Sequence, residues 1–174
     1  ARLGAPFIGL LYCGLIITKR GIRVIEFNAR FGDPETQVVL RRLNSSLSNL
    51  LYKAASGHLE GVSDPEFSKD VAITVVLSSE GYPDSSAPNR PIHGIGDAEA
   101  TGVEVCHAAT AVDKTGADGV FTATGGRVLS VVATGKDFAG ARAQAYAGIE
   151  KIQLQGSHYR KDIAARVSEP GAAN

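Results

Sequence analysis

The sequence has no excess of charge of either sign, because its 18 lysine and arginine residues are matched by 18 aspartate and glutamate residues. A chain with this balance has no general electrostatic attraction for the phosphates of nucleic acid or for an anionic membrane surface. It also has no apolar run long enough to span a bilayer, since the longest, over residues 7–17, is short and interrupted by glycine. We therefore expect neither nucleic acid nor a membrane as a partner.

Cysteine is scarce as well. Cys13 and Cys106 are the only two, they lie far apart in strand-like apolar runs, and no signal peptide is visible. This pattern is typical of buried, unpaired thiols in a reducing cytoplasm. The sequence also opens at Ala1 without an initiator methionine, and strand-like residues follow almost at once. We therefore expect a cytoplasmic chain that is part of a longer protein.

Two common kinds of functional site find no support in the sequence. The four histidines, His58, His93, His107 and His158, are scattered without the spacing of zinc ligands. The stretch Thr124-Gly125-Gly126-Arg127 lacks the Lys and Ser/Thr of a phosphate-binding Walker loop and leads into a strand-like segment. We interpret the histidines as solvated or hydrogen-bonded and the glycine pair as a hairpin turn.

The amino-terminal segment favours a β-hairpin. Residues 6–18 and 22–28 are rich in β-branched and aromatic side chains, and they flank the turn Lys19-Arg20-Gly21. Gly21 is free to adopt the positive φ that such turns require. The chain therefore folds back on itself at this turn.

Two helices are predicted after the hairpin. Asp33 is placed to cap a helix whose first residue is Pro34, and Glu35 favours the same positive end of the helix. The run Asn44-Ser45-Ser46 interrupts the helical pattern and caps a second helix, which Gly57 ends. With the hairpin, these helices make a first unit over residues 1–57.

The rest of the sequence predicts a small β-rich unit. Residues 58–70 are polar and carry Gly, Ser and Pro, which is typical of a linker. Strands are predicted at residues 71–79, 103–108, 119–122 and 127–134. A helix from Asp137, its cap, to Gln153 follows. We therefore predict an α+β fold with a second unit over residues 71–166 and a disordered tail over residues 167–174.

Polar side chains alternate along the second strand of the hairpin. Glu26, Asn28 and Arg30 project from one face, because strand side chains alternate. Carboxylate and amide oxygens suit Mg²⁺, which usually takes one or two carboxylates and fills its shell with water and substrate phosphates. Arg30 could neutralise a phosphoryl group or a carboxylate. Taken alone, however, the short tripeptide is better explained as an exposed strand face.

The sequence around this tripeptide resembles a known family. The matching run is Val24-Ile25-Glu26-Phe27-Asn28-Ala29-Arg30-Phe31-Gly32-Asp33-Pro34-Glu35-Thr36-Gln37-Val38-Val39-Leu40, which is similar to the signature of the phosphoribosylamine glycine ligases of the ATP-grasp superfamily. Further similarity lies in Gly9-Leu10-Leu11-Tyr12-Cys13-Gly14-Leu15, Gly81-Tyr82-Pro83, Gly125-Gly126-Arg127-Val128-Leu129 and Tyr159-Arg160-Lys161-Asp162-Ile163. The resemblance covers nearly the whole chain as far as Arg166. It departs at Arg41, where the family commonly has proline, and near Ser46, where an acidic residue is usual.

The resemblance implies the fold and the reaction. The first unit would be the carboxy-terminal portion of an ATP-grasp domain, and the second the β-rich carboxy-terminal domain of the same ligase. In this family ATP phosphorylates the carboxylate of glycine, and the amine of 5-phosphoribosylamine displaces the phosphate to give glycinamide ribonucleotide in purine biosynthesis. The implied cofactors are ATP and Mg²⁺ or Mn²⁺. The implied partner is the amino-terminal half of the enzyme, which carries the phosphate-contacting lysine and the lid, so we expect the chain alone to be inactive.

The resemblance also implies roles for individual residues. Glu26 and Asn28 correspond to the metal ligands, and Arg30 would hold the acyl phosphate or the attacking substrate. Ile16 corresponds to a residue that packs against adenine, although simple core packing explains it equally well. Asp33 is a candidate substrate contact, but its position as a helix cap already explains it.

Two further positions near the proposed metal site, Gly14 and Glu35, bear on how it is completed. Many ATP-grasp enzymes carry another carboxylate about where Gly14 lies here, so Glu26 would have to bridge the ions if two Mg²⁺ bind. Glu35 is explained by the helix dipole.

Two alternatives stay open. Another ATP-grasp enzyme, such as a biotin carboxylase or a purine carboxylase, shares Glu-x-Asn-x-Arg, although the continuation Phe31-Gly32-Asp33-Pro34-Glu35 argues against it. A non-catalytic module resembling a biotinyl or lipoyl carrier would need a lysine at a hairpin tip. Lys114 is the only candidate for that lysine, and its flanks lack the apolar partners seen in carriers.

Overall fold

The computed structural model describes residues 4–113 and 121–169, so Lys114, the predicted strand residues 119–120 and the tail after residue 169 lie outside the described residues. The chain divides into two compact units, and each contains strands and helices. The first comprises Ala1–Thr36 and Leu43–Ser68, and the second Gln37–Arg42 and Lys69–Asn174. The predicted α+β class is confirmed. No helix among the described residues is long and apolar enough to cross a membrane.

The first unit begins with the predicted hairpin. Strands β1 (Tyr12–Thr18) and β2 (Gly21–Asn28) pair antiparallel. Gly21 has a φ of 91°, and the Thr18 hydroxyl donates to the Gly21 carbonyl at 2.8 Å, which closes the turn. The pairing shifts by one residue between Gly14 and Leu15, where the ladder contains a β-bulge.

Two helices follow the hairpin along the chain. Helix α1 (Glu35–Arg41) begins one residue after the predicted start. The peptide between Asp33 and Pro34 is cis. Helix α2 (Leu47–Ala55) is capped as predicted, because the Ser46 hydroxyl accepts a hydrogen bond from the Asn49 N–H at 3.3 Å.

Among the described residues, the second unit contains six further strands and three further helices, in addition to residues 37–41 of α1. The strands are β3 (Val71–Ser78), β4 (Arg90–Ile92), β5 (Glu104–His107), β6 (Thr110–Val112), β7 (Phe121–Ala123) and β8 (Arg127–Gly135). The helices are α3 (Ile95–Glu99), α4 (Phe138–Ile149) and α5 (Ala165–Ser168). Two antiparallel three-stranded sheets result, in the orders β3-β8-β5 and β4-β7-β6.

The core of this unit lies around the central strand β8. Six consecutive residues of β8, from Val128 to Ala133, are buried, so both faces of the strand are covered. Helix α4 buries Ala141, Ala145 and Ile149 in the same core. Its cap is the predicted one, since the Asp137 carboxylate accepts a hydrogen bond from the Gly140 N–H at 2.7 Å. Full burial of a Val, Leu or Ile side chain contributes about 1.5–3 kcal/mol, so this cluster is the main source of stability in the unit.

Several predictions for the second unit were wrong in detail. Strand β4, which contains Pro91, was not predicted; it lies at the edge of its sheet, where a proline removes no ladder hydrogen bond that the sheet needs. Gly125 and Gly126 connect β7 to β8, which belong to different sheets, so this stretch is not a hairpin turn. Helix α5 extends to Ser168, two residues into the predicted tail. Cys13 was expected to be buried but is exposed, and both cysteines are free thiols.

Two of the family-like motifs of the second unit contact each other. The Tyr82 ring packs over Gly126, and the Ser79 N–H donates to the Gly126 carbonyl at 2.7 Å. Arg90 also contacts the segment that follows β3, since it donates to the Ala87 carbonyl at 3.1 Å and to the Ser79 hydroxyl at 2.6 Å. These motifs therefore organise the second unit internally.

Candidate functional site

The candidate site is one face of the β1–β2 hairpin. The register pairs Tyr12 with Asn28 and Gly14 with Glu26. Residues directly opposite each other on an antiparallel pair project from the same face, so these four share one side of the hairpin. Gly14 is buried, and a Cβ at this position would lie 3.1 Å from Cγ of Glu26. Glycine therefore gives the Glu26 side chain room to lie across the strand.

Asn28 supplies an amide whose environment fits a metal ion. Its side chain is half-buried, and Nδ2 has no hydrogen-bond partner within the described parts of the chain. A buried polar atom without a partner is unfavourable, and the oxygen and nitrogen of an amide can exchange places by a flip. After the flip, the amide oxygen of Asn28 takes the place of Nδ2. A cation that prefers oxygen ligands would then bind this oxygen and the Glu26 carboxylate together.

The described residues supply few ligands for such an ion. No group of three or more His, Cys, Asp or Glu side chains among them could hold a metal. Glu26 and Asn28 therefore fit a cation that takes most of its shell from water and phosphate oxygens, which is the usual behaviour of Mg²⁺.

Arg30 lies beyond the end of the strand. Since β2 ends at Asn28, the prediction that the strand face continues to Arg30 was wrong. The guanidinium instead follows a bend, and its Nη1 donates to the Phe31 carbonyl at 2.8 Å. Arg30 follows Asn28 by two residues, so its positive charge stays near the end of the hairpin face.

Ile16 and Asp33 occupy opposite ends of this region in the sequence. Alternation along β1 places Ile16 on the same face as Gly14, and 49% of its surface is exposed. The described residues therefore do not bury Ile16. Asp33 is exposed in the turn before α1.

Two residues of this region were not assigned to the site from the sequence. Tyr12 lies opposite Asn28 on the hairpin, and Glu35 is the first residue of α1. Partial desolvation raises the pKa of Tyr12, the carboxylates of Glu35 and Glu26 raise it further, and Arg30 opposes them. The pairing of Tyr12 with Asn28 would have identified this cluster. This pairing could not be seen in the sequence, because it depends on the bulge between Gly14 and Leu15.

Comparison with known families matches both parts of the chain. Residues 72–166 match the family described as "Phosphoribosylglycinamide synthetase, C domain". Residues 1–36 match "Phosphoribosylglycinamide synthetase, ATP-grasp (A) domain". The second match contains the whole hairpin face described above.

Curated relatives carry a consistent name. A phosphoribosylamine–glycine ligase of Leifsonia xyli is 60% identical over 92% of this chain and 38% of its own length. One from Streptomyces coelicolor is 48% identical over 96% of this chain and 40% of its own length. A relative from Arabidopsis thaliana, named as chloroplastic, is 46% identical over 95% of this chain and 31% of its own length. The chain thus spans well under half of the relatives that it matches.

Solved structures are similar in fold. The crystal structure of phosphoribosylamine–glycine ligase from Thermotoga maritima aligns with a TM-score of 0.69 and 31% identity, covering 88% of this chain and 36% of that one. The biotin carboxylase domain of Hydrogenobacter thermophilus 2-oxoglutarate carboxylase aligns with a TM-score of 0.55 at 14% identity, covering 85% of this chain and 34% of that one. The second likeness shows a shared fold alone.

Proposed function

Because the chain belongs to the phosphoribosylglycinamide synthetase family, we propose that it supplies the carboxy-terminal part of an ATP-dependent phosphoribosylamine glycine ligase. The reaction joins glycine to 5-phosphoribosylamine through a glycyl phosphate and gives glycinamide ribonucleotide, ADP and phosphate in purine biosynthesis. The observation that carries this proposal is the hairpin face on which Glu26 and Asn28 stand opposite Gly14 and Tyr12. The relatives that match the chain bear the name of this activity.

The hairpin face suits the handling of phosphoryl groups. Glu26 and Asn28 would hold Mg²⁺ or Mn²⁺, and such an ion when bound neutralises charge on the phosphate oxygens of ATP. Arg30 brings a fixed positive charge to the same place and would orient the acyl phosphate. Ile16 offers an exposed apolar side chain on the same face, where adenine would pack. Asp33, exposed in the following turn, would face the incoming substrate.

The first unit exposes more apolar surface than a complete globular domain usually does. Besides Ile16, the exposed large side chains of the hairpin are Leu15, Ile17, Ile22, Val24, Ile25 and Phe27. A two-stranded hairpin is marginally stable alone, and an apolar surface of this kind is normally covered. We propose that the remainder of the ATP-grasp domain covers it, that isolated residues 1–174 do not turn over, and that the full-length protein works in the cytoplasm.

The proposal predicts a strict requirement for three substrates. We expect the full-length protein to form ADP, phosphate and glycinamide ribonucleotide in equal amounts only when ATP, glycine and 5-phosphoribosylamine are all present. Coupled ADP release and mass spectrometry of the product measure this, with omission of each substrate as the control. ADP formation that depends on bicarbonate instead of glycine would contradict the proposal and favour the carboxylase alternative.

A further inference from the structure

The second unit contains a cavity of about 520 Å³ that has no role in the proposed function. All of its lining residues belong to that unit, in which residues 37–42 and 69–174 lie together. Sites that take a small organic molecule have volumes of about 300–1,000 Å³. The cavity is therefore large enough for a ligand much bigger than an inorganic ion.

One part of the lining is cationic. It comprises Arg42, Lys69 and Lys136, and the described residues contribute no carboxylate to the lining. Val71 pairs with Gly135 in the β3–β8 ladder, so the segments that carry the two lysines run side by side. The end of this ladder thus brings two ammonium groups to the same cavity.

The Asp70 carboxylate borders this cationic part and pairs with one of the lysines. Its Oδ1 lies 2.6 Å from Nζ of Lys136, and 89% of the Lys136 side chain is exposed. Ion pairs this exposed contribute at most about 1 kcal/mol, so Lys136 can exchange this partner for a more highly charged anion. The neighbouring Asp137 carboxylate is occupied as the cap of α4. The cationic part of the cavity is therefore suited to an anionic ligand.

The other part of the lining is apolar. Val38 and Val39 come from α1, Val71 and Ala72 begin β3, and Phe138 is the first residue of α4. Phe138 is partly buried and packs against the core cluster of the unit, which holds its ring in place. A flat apolar group in the cavity would contact this ring and would remove the apolar lining from water.

We propose that this cavity binds a nucleoside 5′-monophosphate, with the phosphate at Lys69 and Lys136 and the base against Phe138. A phosphate monoester carries about 1.5–2 negative charges at neutral pH, which suits the cationic part. The base supplies the flat surface that stacks on aromatic side chains. Inorganic phosphate would leave the apolar lining in water, and a free nucleoside would leave the cations without an anion. The inference adds a second nucleotide site to the one proposed on the hairpin, and it does not depend on the proposed reaction.

Calorimetric titration of the full-length protein with AMP tests the inference. Saturating ADP and Mg²⁺ are present throughout, so that the proposed catalytic site is filled. We expect saturable binding of AMP, and binding of adenosine and of ribose 5-phosphate that is at least about tenfold weaker, since each lacks one half of the contacts. Absence of saturable AMP binding up to about 1 mM would overturn the inference. Equally tight binding of inorganic phosphate would also overturn it, because the apolar part would then contribute nothing.

Variants of the lining separate the two halves of the site. Lys69→Gln and Lys136→Gln should each weaken AMP binding about tenfold, because each removes a charge-assisted hydrogen bond to the phosphate. Phe138→Leu should weaken AMP binding at least about fivefold and leave ribose 5-phosphate binding within about twofold, because it removes only the stacking surface. Leucine stays apolar against the core, and a normal melting temperature shows that the unit is intact. AMP binding that none of the three substitutions weakens would contradict the site.

Two controls locate the bound AMP. Lys151→Gln removes an exposed lysine of the same unit that is not part of the lining, and it should leave AMP binding unchanged. Glu26→Gln alters the proposed metal site and should bind AMP as the wild-type protein does. Loss of AMP binding in Glu26→Gln, with normal binding in both lining lysine variants, would place AMP on the hairpin and overturn the inference. A protein that binds AMP as expected without using glycine would instead contradict the proposed function.

Discussion

Replacing Glu26 by Gln lowers the turnover of the full-length protein by at least about a hundredfold, the loss typical of removing a principal electrostatic stabiliser from an active site. The substitution keeps the volume of the side chain but removes the negative charge that a divalent cation needs. Because Glu26 lies over Gly14 in an exposed strand, the neutral amide fits the same space and the fold is unaffected. Turnover at increasing Mg²⁺ measures the effect.

The metal dependence identifies the cause of that loss. Glu26→Gln should also raise the half-saturating Mg²⁺ concentration, whereas the control Glu60→Gln, a loop residue outside the site, should change neither quantity. The melting temperature should be normal for both variants. Near-normal turnover of Glu26→Gln at saturating Mg²⁺ would show that Glu26 is not a principal ligand.

Replacing Gly94 by Ala destabilises the second unit by about 3 kcal/mol, the range of a backbone strain combined with a steric clash. Gly94 has a φ of 79°, which side-chain-bearing residues rarely adopt, and a Cβ there would overlap the Lys151 carbonyl oxygen. The segment that contains Gly94 and the segment that contains Lys151 are held together, because His93 and Gln153 exchange N–H···O=C bonds of 3.0 and 2.9 Å. Neither segment can move away without breaking these bonds.

Gly96 provides the matched control, because it lies in helix α3, which begins directly after Gly94. It has no positive φ, and a Cβ there would meet no atom of the described residues within 4 Å. Gly96→Ala should therefore stabilise the unit by about 0.5–1 kcal/mol, because alanine loses less conformational freedom in a helix. Hydrogen exchange of the β8 amides in the full-length protein reports the stability of this unit directly. Effects of the same sign for both variants would contradict the structure around Gly94.

Local sequence signals were sufficient for much of the fold. The hairpin turn at Gly21 and the caps Ser46 and Asp137 were predicted from a few neighbouring residues, because the hydrogen bonds that define them are local. The long strands β3 and β8 were predicted because their apolar runs are buried on a continuous core.

Features that depend on distant partners were not predictable in the same way. The hairpin turn alone would pair Tyr12 with Phe27, and only the bulge between Gly14 and Leu15 places it opposite Asn28. A one-residue difference in register moves side chains to the other face, so the position of Tyr12 opposite Asn28 could not be foreseen. Strand β4 was similarly hidden, because its pairing with β7 has no signal in the three residues themselves.

Transfer of an isotope from glycine to phosphate tests the central claim most directly. If ATP phosphorylates the carboxylate, a glycine oxygen attacks the γ-phosphorus and leaves with the phosphate when the amine of 5-phosphoribosylamine attacks the carbonyl carbon. Glycine labelled with ¹⁸O in its carboxylate should therefore give one labelled oxygen in phosphate for each glycinamide ribonucleotide formed by the full-length protein. Formation of the full amount of product with unlabelled phosphate would contradict a glycyl phosphate. It would also contradict the role assigned to the hairpin face.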